Sequence, residues 1–286
     1  MTIRVLSLLL VAQLALVAYV YWPRESGPAV ATALVEDLPA AAIQSLRISD
    51  GESVVALRRA GDAWLGEDDL PADADKVDLL LTALTATDPG YAIATSAGAA
   101  LRFEVAEARF QRRIELTGAA GSEVVYLGTS PAFRKVHARR ADAEAVHVID
   151  LNSYDAPSAF ASWLDRDLLA LRDVTEISSD GFELRLDDGD WIATDGSSAD
   201  PEAVASLLQA VAALRVTGLA TEDEAALAEA GTTVLQLVAT DAAGGATLTL
   251  IENDEQFFLR SSRYDALFGT SSYDAGRLRD AAGALR

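Results

Sequence analysis

The sequence has no cysteine, which excludes disulfides, thiolate metal centres, a cysteine nucleophile and lipidation at a lipobox cysteine. It does not identify the redox compartment, since envelope proteins also do without disulfides. Histidine is almost as scarce: His137 and His147 are the only two, and both fall within expected strands. Neither stands near a Gly-x-Ser-x-Gly turn or is spaced for a two-histidine zinc site, so both read as structural. No Gly-x4-Gly-Lys-[Ser/Thr] or strand-linked Gly-x-Gly-x-x-Gly occurs, and nucleotide binding has no local support.

Positive charge is also in short supply. Lys and Arg number 23 against 44 Asp and Glu, a formal net charge of -21, and such a surface repels nucleic-acid phosphates and anionic headgroups. The acidic runs Glu67–Asp69, Asp187–Asp190 and Glu252–Glu255 miss the oxygen-ligand spacing of a calcium loop and read as turn chemistry. Carboxylates are too numerous to single out a glycosidase pair. No cofactor, no metal and no nucleic-acid partner is therefore expected. Half of the chain is hydrophobic, so it is expected to fold.

Long apolar runs are limited to one. Val5 to Trp22 is free of charge over 18 residues, the lower end of what a helix needs to span hydrocarbon. Arg4 precedes it, and Tyr19, Tyr21 and Trp22 close it as an interfacial aromatic cluster. A cleaved signal peptide would need small residues where Tyr21, Trp22, Pro23 and Arg24 stand, so the run reads as a retained anchor. Arg4 favours a cytoplasmic N-terminus. The expected location is the bacterial inner membrane, with the large domain facing the periplasm or exterior.

Beyond the anchor the chain matches itself at an offset of 127 residues: Trp64 with Trp191, Asp73 with Asp200, Val77 with Val204, Leu80 with Leu207 and Leu81 with Leu208. Each copy opens on a short strand ending in Asp-Gly, continues through a tight turn to its Trp, and enters a helix with apolar residues at i, i+3, i+4 and i+7. Asp200-Pro201-Glu202 is a strong helix start, and Asp73 or Asp75 serves in the first copy. Both Trp rings are expected to be buried over their helices. Further strands are expected at Arg113–Leu116, Val124–Leu127, Lys135–Arg139, Ala145–Ile149, Val234–Val238, Ala246–Ile251 and Gln256–Arg260. The fold class is α+β: a transmembrane helix, then two repeated modules of antiparallel sheet, each covered by a helix. The boundaries read 1–22 anchor, 23–42 tether, 43–172 first module and 173–286 second.

One segment departs from the acidic average. From Arg102 to Arg140 eight basic residues stand against four acidic ones, which suggests a face for docking an acidic partner. Strand alternation makes Arg112, Arg134 and Arg140 the set that could share one side.

Gly61-Asp62-Ala63-Trp64, Ala74-Asp75 leading to Val77 and Leu80-Leu81, Leu127-Gly128, Arg134 to Arg139, Val146 to Ile149 and Trp163-Leu164-Asp165-Arg166-Asp167-Leu168-Leu169 together resemble the bacterial domain of unknown function numbered 4340, over nearly all of 43–286. Between Ala92 and Leu101 an Ala-rich stretch replaces that family's usual Gly-Leu. The resemblance implies no catalytic residue. It implies a membrane-anchored or exported protein, non-enzymatic, accessory to an envelope ABC transporter similar to gliding-motility systems. The alternative is an envelope hydrolase or ligand-binding module whose site assembles from distant residues.

Overall fold

A computed structural model describes residues 33–286 and the single residue Gln13. The expected anchor, Val5 to Trp22, lies outside the described residues except for Gln13. Among the described residues no helix is long and apolar enough to cross a membrane. Residues 33–42, read from the sequence as part of a tether, are folded in. Ala33, Leu34, Val35 and Leu38 are buried, and Val35 N–H donates to the Leu84 carbonyl at 2.9 Å.

The chain is α+β, with two large antiparallel sheets. The first is built from β1 (Ile43–Ser49), β2 (Val54–Ala60), β3 (Ala63–Leu65) and β4 (Pro71–Ala72), then, after helix α1 (Ala74–Thr85), short helix α2 (Ala97–Arg102) and the small hairpin β5 (Val105–Ala106) and β6 (Arg109–Phe110), from β7 (Arg112–Gly118), β8 (Gly121–Leu127), β9 (Val136–Arg140) and β10 (His147–Ile149). The second takes β11 (Glu176–Ser179), β12 (Phe182–Asp187) and β13 (Asp190–Ala193). After helix α3 (Pro201–Ala212) come β14 (Val216–Leu219), helix α4 (Glu222–Ala230), β15 (Thr232–Asp241), β16 (Gly244–Asn253), β17 (Gln256–Ser261), β18 (Tyr264–Thr270) and helix α5 (Ser272–Gly283).

The strand orders are β3-β2-β1-β7-β8-β9-β10 in the first sheet and β13-β12-β11-β15-β16-β17-β18 in the second, with β4 added beside β3 and β14 beside β18. Register makes the likeness residue-specific. Leu57 faces Leu46 across β1–β2, Leu184 faces Ile177 across β11–β12, and both Leu57 and Leu184 stand seven residues before their Trp. The helices match as well: Asp73 accepts from the Lys76 N–H and Asp200 from the Glu202 N–H, so each Asp satisfies a free amide of its helix's first turn. Val77, Leu80, Leu81 and Leu84 of α1, and Val204, Leu207 and Val211 of α3, point into one continuous core.

Each sheet also carries a cover on its other face. The insert with α2 and β5–β6 packs Ala100, Val105 and Phe103 on Tyr126 and Val146, while α4 packs Ala228 on Ile251 and Phe258. The second sheet has a further helix, α5, lying beside α3.

The halves are joined by one extended segment. Trp163, Leu164, Leu168, Leu169 and Leu171 are all buried in the shared core. The backbone of this segment bonds to both sides: Asp73 N–H to the Trp163 carbonyl (2.7 Å) and Asp165 N–H to the Pro71 carbonyl (2.9 Å) on one, Val216 N–H to the Arg166 carbonyl (2.9 Å) and Leu171 N–H to the Val211 carbonyl (3.0 Å) on the other.

The two Trp rings differ where equal burial was expected. Trp64 is 1 % exposed; Trp191 is only half-buried, though it packs on the same core. The reason lies at the sheet edge. β3 is flanked by β4, which is itself bridged to Leu164, and the Arg59 guanidinium sits 4.7 Å over the Trp64 ring. β13 has no full strand beyond it, only an isolated bridge of Ile192 to Ser198, and Leu186 occupies the Arg59 position across from Trp191. Trp64→Ala is accordingly expected to cost about 3–5 kcal/mol of stability, the range for a large buried ring. Trp191→Ala should cost clearly less, and urea unfolding midpoints of the two variants check the order.

Candidate functional site

The three arginines singled out from the sequence end up in different settings. Arg112, at the start of β7, is half-buried and spends its guanidinium on backbone, Nε to the Ala156 carbonyl (2.8 Å) and Nη1 to the Gln111 carbonyl (2.6 Å). Arg140, at the end of β9, forms a two-pronged pair with Asp142 (2.9 and 2.6 Å) and lies 3.6 Å from Glu123. These contacts raise its pKa and lower that of Asp142. The register places Arg112 and Arg140 on the same face of the sheet, beside Ile114, Val125 and Ala138. Arg134 is apart from them, exposed in the turn between β8 and β9 with φ 53°. No ion pair to Arg134 is formed among the described residues.

Other basic residues of the segment also hold the fold. Arg139 gathers four carbonyls, of Val105, Arg140, Ala141 and Ala143, and so clamps the insert to β9 while lying 5.3 Å over the Tyr126 ring. His137 is buried on β9, with Nδ1 2.6 Å from the Thr129 carbonyl and its ring stacked 4.2 Å from Phe103. So short an approach to a carbonyl makes Nδ1 the protonated nitrogen. Next to it, Gly128 meets the insert so closely that a Cβ would stand 2.0 Å from the Phe103 carbonyl oxygen. The Leu127-Gly128 pair is thus a packing requirement. His147 lies at the open edge, its Nδ1 3.2 Å from the Gly90 carbonyl. Among the described residues no group of three or more His, Asp or Glu could hold a metal ion.

What is left open is one half-face on each sheet. On the first, Ser45, Arg47, Ala56, Arg58, Arg113 and Glu115 point outward from β1, β2 and β7, away from the buried Leu46, Ile48, Leu57, Ile114 and Leu116. Arg58 pairs with Asp69 and Arg113 with Glu115 (2.8 Å); Arg47 makes no ion pair among the described residues. On the second, the corresponding positions are Glu176, Ser178, Glu183, Arg185, Gln236 and Val238, and here the face is hollowed into a cleft of about 490 Å³. It is lined by Ile192 and Val238, the latter 48 % exposed, together with Glu176, Glu183 and Arg185. Sequence reading missed these faces because it followed the density of charge along the chain. The signal was the alternation within β1, β2 and β7, whose outward residues come from segments far apart in sequence.

A family model described as Domain of unknown function (DUF4340) matches residues 64–232. No curated protein and no solved structure matches the chain.

The buried imidazole gives a pH dependence. Burial, the larger effect, pushes the His137 pKa down, and the hydrogen bond to Thr129 opposes it only in part. The unfolded chain therefore binds the proton more readily, so stability from this site is full above the unfolded pKa of about 6.5 and is lost as pH falls through the lower folded value. Denaturation midpoints between neutral and mildly acid pH should fall for the natural chain, and His137→Gln should remove that part of the slope.

Proposed function

The chain belongs to the family described as Domain of unknown function (DUF4340), and on that premise we propose that it is a non-enzymatic, membrane-anchored extracytoplasmic accessory protein, a subunit of an envelope ABC-transporter complex. The observation that carries this reading is the contrast between the two sheets. Their core positions stay apolar while their open half-faces diverge, Ser45, Arg47 and Ala56 standing where the second sheet has Glu176, Ser178 and Glu183. Two copies of one scaffold that keep their packing and differ in what they present are suited to holding two unlike surfaces. The polar groups best able to do chemistry in the first sheet, His137 and Arg139, are instead committed to joining the insert to β9.

Anchoring is supported by the uncharged run Val5 to Trp22 with its flanking Arg4 and aromatic end. From Trp22 to the packed residue Ala33 is a stretch of only 11 residues, which fully extended reaches roughly 36–40 Å. Such a tether would keep the domain close to the membrane. The partner face is the outward set Arg47, Arg58 and Arg113, three arginines against Glu115 and Asp69 in a protein of strongly negative total charge, and it suits an acidic surface on a transporter subunit. Arg134 of the basic segment lies elsewhere, at a hairpin tip.

Purification of the intact chain in mild detergent should bring ABC-transporter components with it, and Arg47→Glu with Arg58→Glu should weaken that association without lowering the unfolding temperature. An intact chain that purifies alone from solubilised membranes, or a double variant that keeps its companions in full, would overturn the reading.

A further inference from the structure

The turn that carries Arg134 is built to present two side chains. β8 and β9 extend toward it through Gly128 N–H to the His137 carbonyl (2.9 Å), His137 N–H to the Thr129 carbonyl (3.0 Å) and the Ser130 hydroxyl to the Lys135 carbonyl (2.7 Å). Ala132 and Lys135 then close as a bridge, leaving Phe133 and Arg134 at the corner. Arg134 sits in the left-handed region that a non-glycine residue seldom occupies. Phe133 is 88 % exposed, the most exposed large hydrophobic among the described residues. Lys135 ties the turn to the strand beside it through Asp150 (2.5 Å), so the tip is braced on both sides.

The equivalent hairpin of the second sheet, β16–β17, has a tip of the same kind with the opposite character. Asn253 pairs with Gln256, and the corner residues are Asp254 and Glu255, with φ 46° and 65°. An apolar ring and a cation with no ion pair among the described residues thus appear in one copy only, at an exposed point. A tip of this shape calls for a concave receptor with an apolar floor and carboxylates around it.

We infer that the Phe133–Arg134 tip of one chain docks in the open cleft of the second sheet of another copy of this chain. The cleft supplies what the tip lacks: Val238 and Ile192 for the ring, and for the guanidinium the carboxylates of Glu176 and Glu183, which outnumber the one lining cation, Arg185, itself 3.8 Å from Asp187, in about 490 Å³ of space. A phenyl ring and a guanidinium fit such a volume. The contact joins unlike surfaces of two copies, so it closes reciprocally as a pair or continues as a chain. A tip and a cleft bury less than the roughly 800 Å² per partner of a standard interface, so the association is weak when dilute and strengthens where copies are concentrated. The inference does not depend on a transporter partner.

The absence of native cysteine makes the test clean. Two full-length populations with different tags are mixed, one carrying Ala132→Cys beside the tip and the other Thr194→Cys at the cleft wall, both exposed positions. A short bis-maleimide is applied in isolated membranes and, separately, to the concentrated purified chain. A product bearing both tags should form at least about tenfold more than with Tyr273→Cys, an exposed control on α5, in place of Thr194→Cys. Arg134→Glu in the tip population should cut it by about tenfold, and Glu183→Arg in the cleft population should restore it. Cross-linking no greater than the control in both preparations, or unchanged by Arg134→Glu, overturns the inference. So does loss of a foreign companion protein on Arg134→Glu while the tagged copies fail to cross-link, because the tip would then serve a different receptor.

Discussion

Everything in this fold hangs on the segment from Trp163 to Leu171, which lies along the first sheet and then along the second. Its Trp163 ring is completely buried, with Nε1 donating to the Pro157 carbonyl at 2.9 Å, so a large apolar group is inserted without leaving its polar atom unpaired. Four leucines of the same stretch enter the common core. At about 1.5–3 kcal/mol for each such side chain removed from water, the joint accounts for a large share of what holds the halves together. Its polar residues fit that position. Asp167 lies 3.0 Å from Arg215 Nε and 3.7 Å from Arg172, and its N–H donates to Asp165, whose own pKa is raised mainly by burial and further by Asp167 and Asp73. A run of the form Trp-Leu-Asp-Arg-Asp-Leu-Leu is therefore the signature of a seam, and it lies within the residues that the family model matches.

The seam also explains an asymmetry. Because Leu164 bridges to Ala72, β4 has a neighbour and the edge of the first sheet is closed above Trp64. Among the described residues, β13 has beside it only the isolated bridge of Ile192 to Ser198. Residues 197–199 replace a strand with two backbone bonds, Ala193 N–H to the Ser197 carbonyl and Ala199 N–H to the Trp191 carbonyl, and the cleft stays open beside them.

Much of this architecture was legible in the residues. The offset of 127 follows from a helix whose cap, stripe and preceding Trp all recur, and these are features that local physics imposes. The strands expected at Val124–Leu127 and Gln256–Arg260 lie within β8 and β17. Elements with weak periodicity were not legible. Helix α4 mixes four acidic residues with Ala and Leu in no clear stripe and fully buries only Ala228, and α2 is six residues of Ala, Gly, Leu and Arg held by its Ser96 cap. Which arginines stay exposed was the hardest to read, because a count of charge along the chain does not say which carbonyl a guanidinium will meet. Arg112 and Arg139 look alike in sequence to Arg47. They differ in having a loop folded back on them, a tertiary fact with no local trace.

The divergence between the two halves follows a simple physical division. A position facing the core can change only at the cost of a cavity or an overpacked contact, so Leu46 and Ile177, or Leu57 and Leu184, remain apolar and of similar size. A position facing solvent on an open sheet carries no such constraint, and surface substitutions there change stability little. Charge could therefore be lost between Arg47 and its counterpart Ser178, gained between Ala56 and Glu183, and reversed between the tips Phe133–Arg134 and Asp254–Glu255, where Arg134 in one and both residues in the other have positive φ. Phe133 is the exception that physical reasoning cannot leave to drift: exposing a phenyl ring at a braced tip gains nothing for folding and invites nonspecific contact. A ring exposed where the fold has no use for it is free to meet a surface outside the fold, as the proposed docking of Phe133 requires.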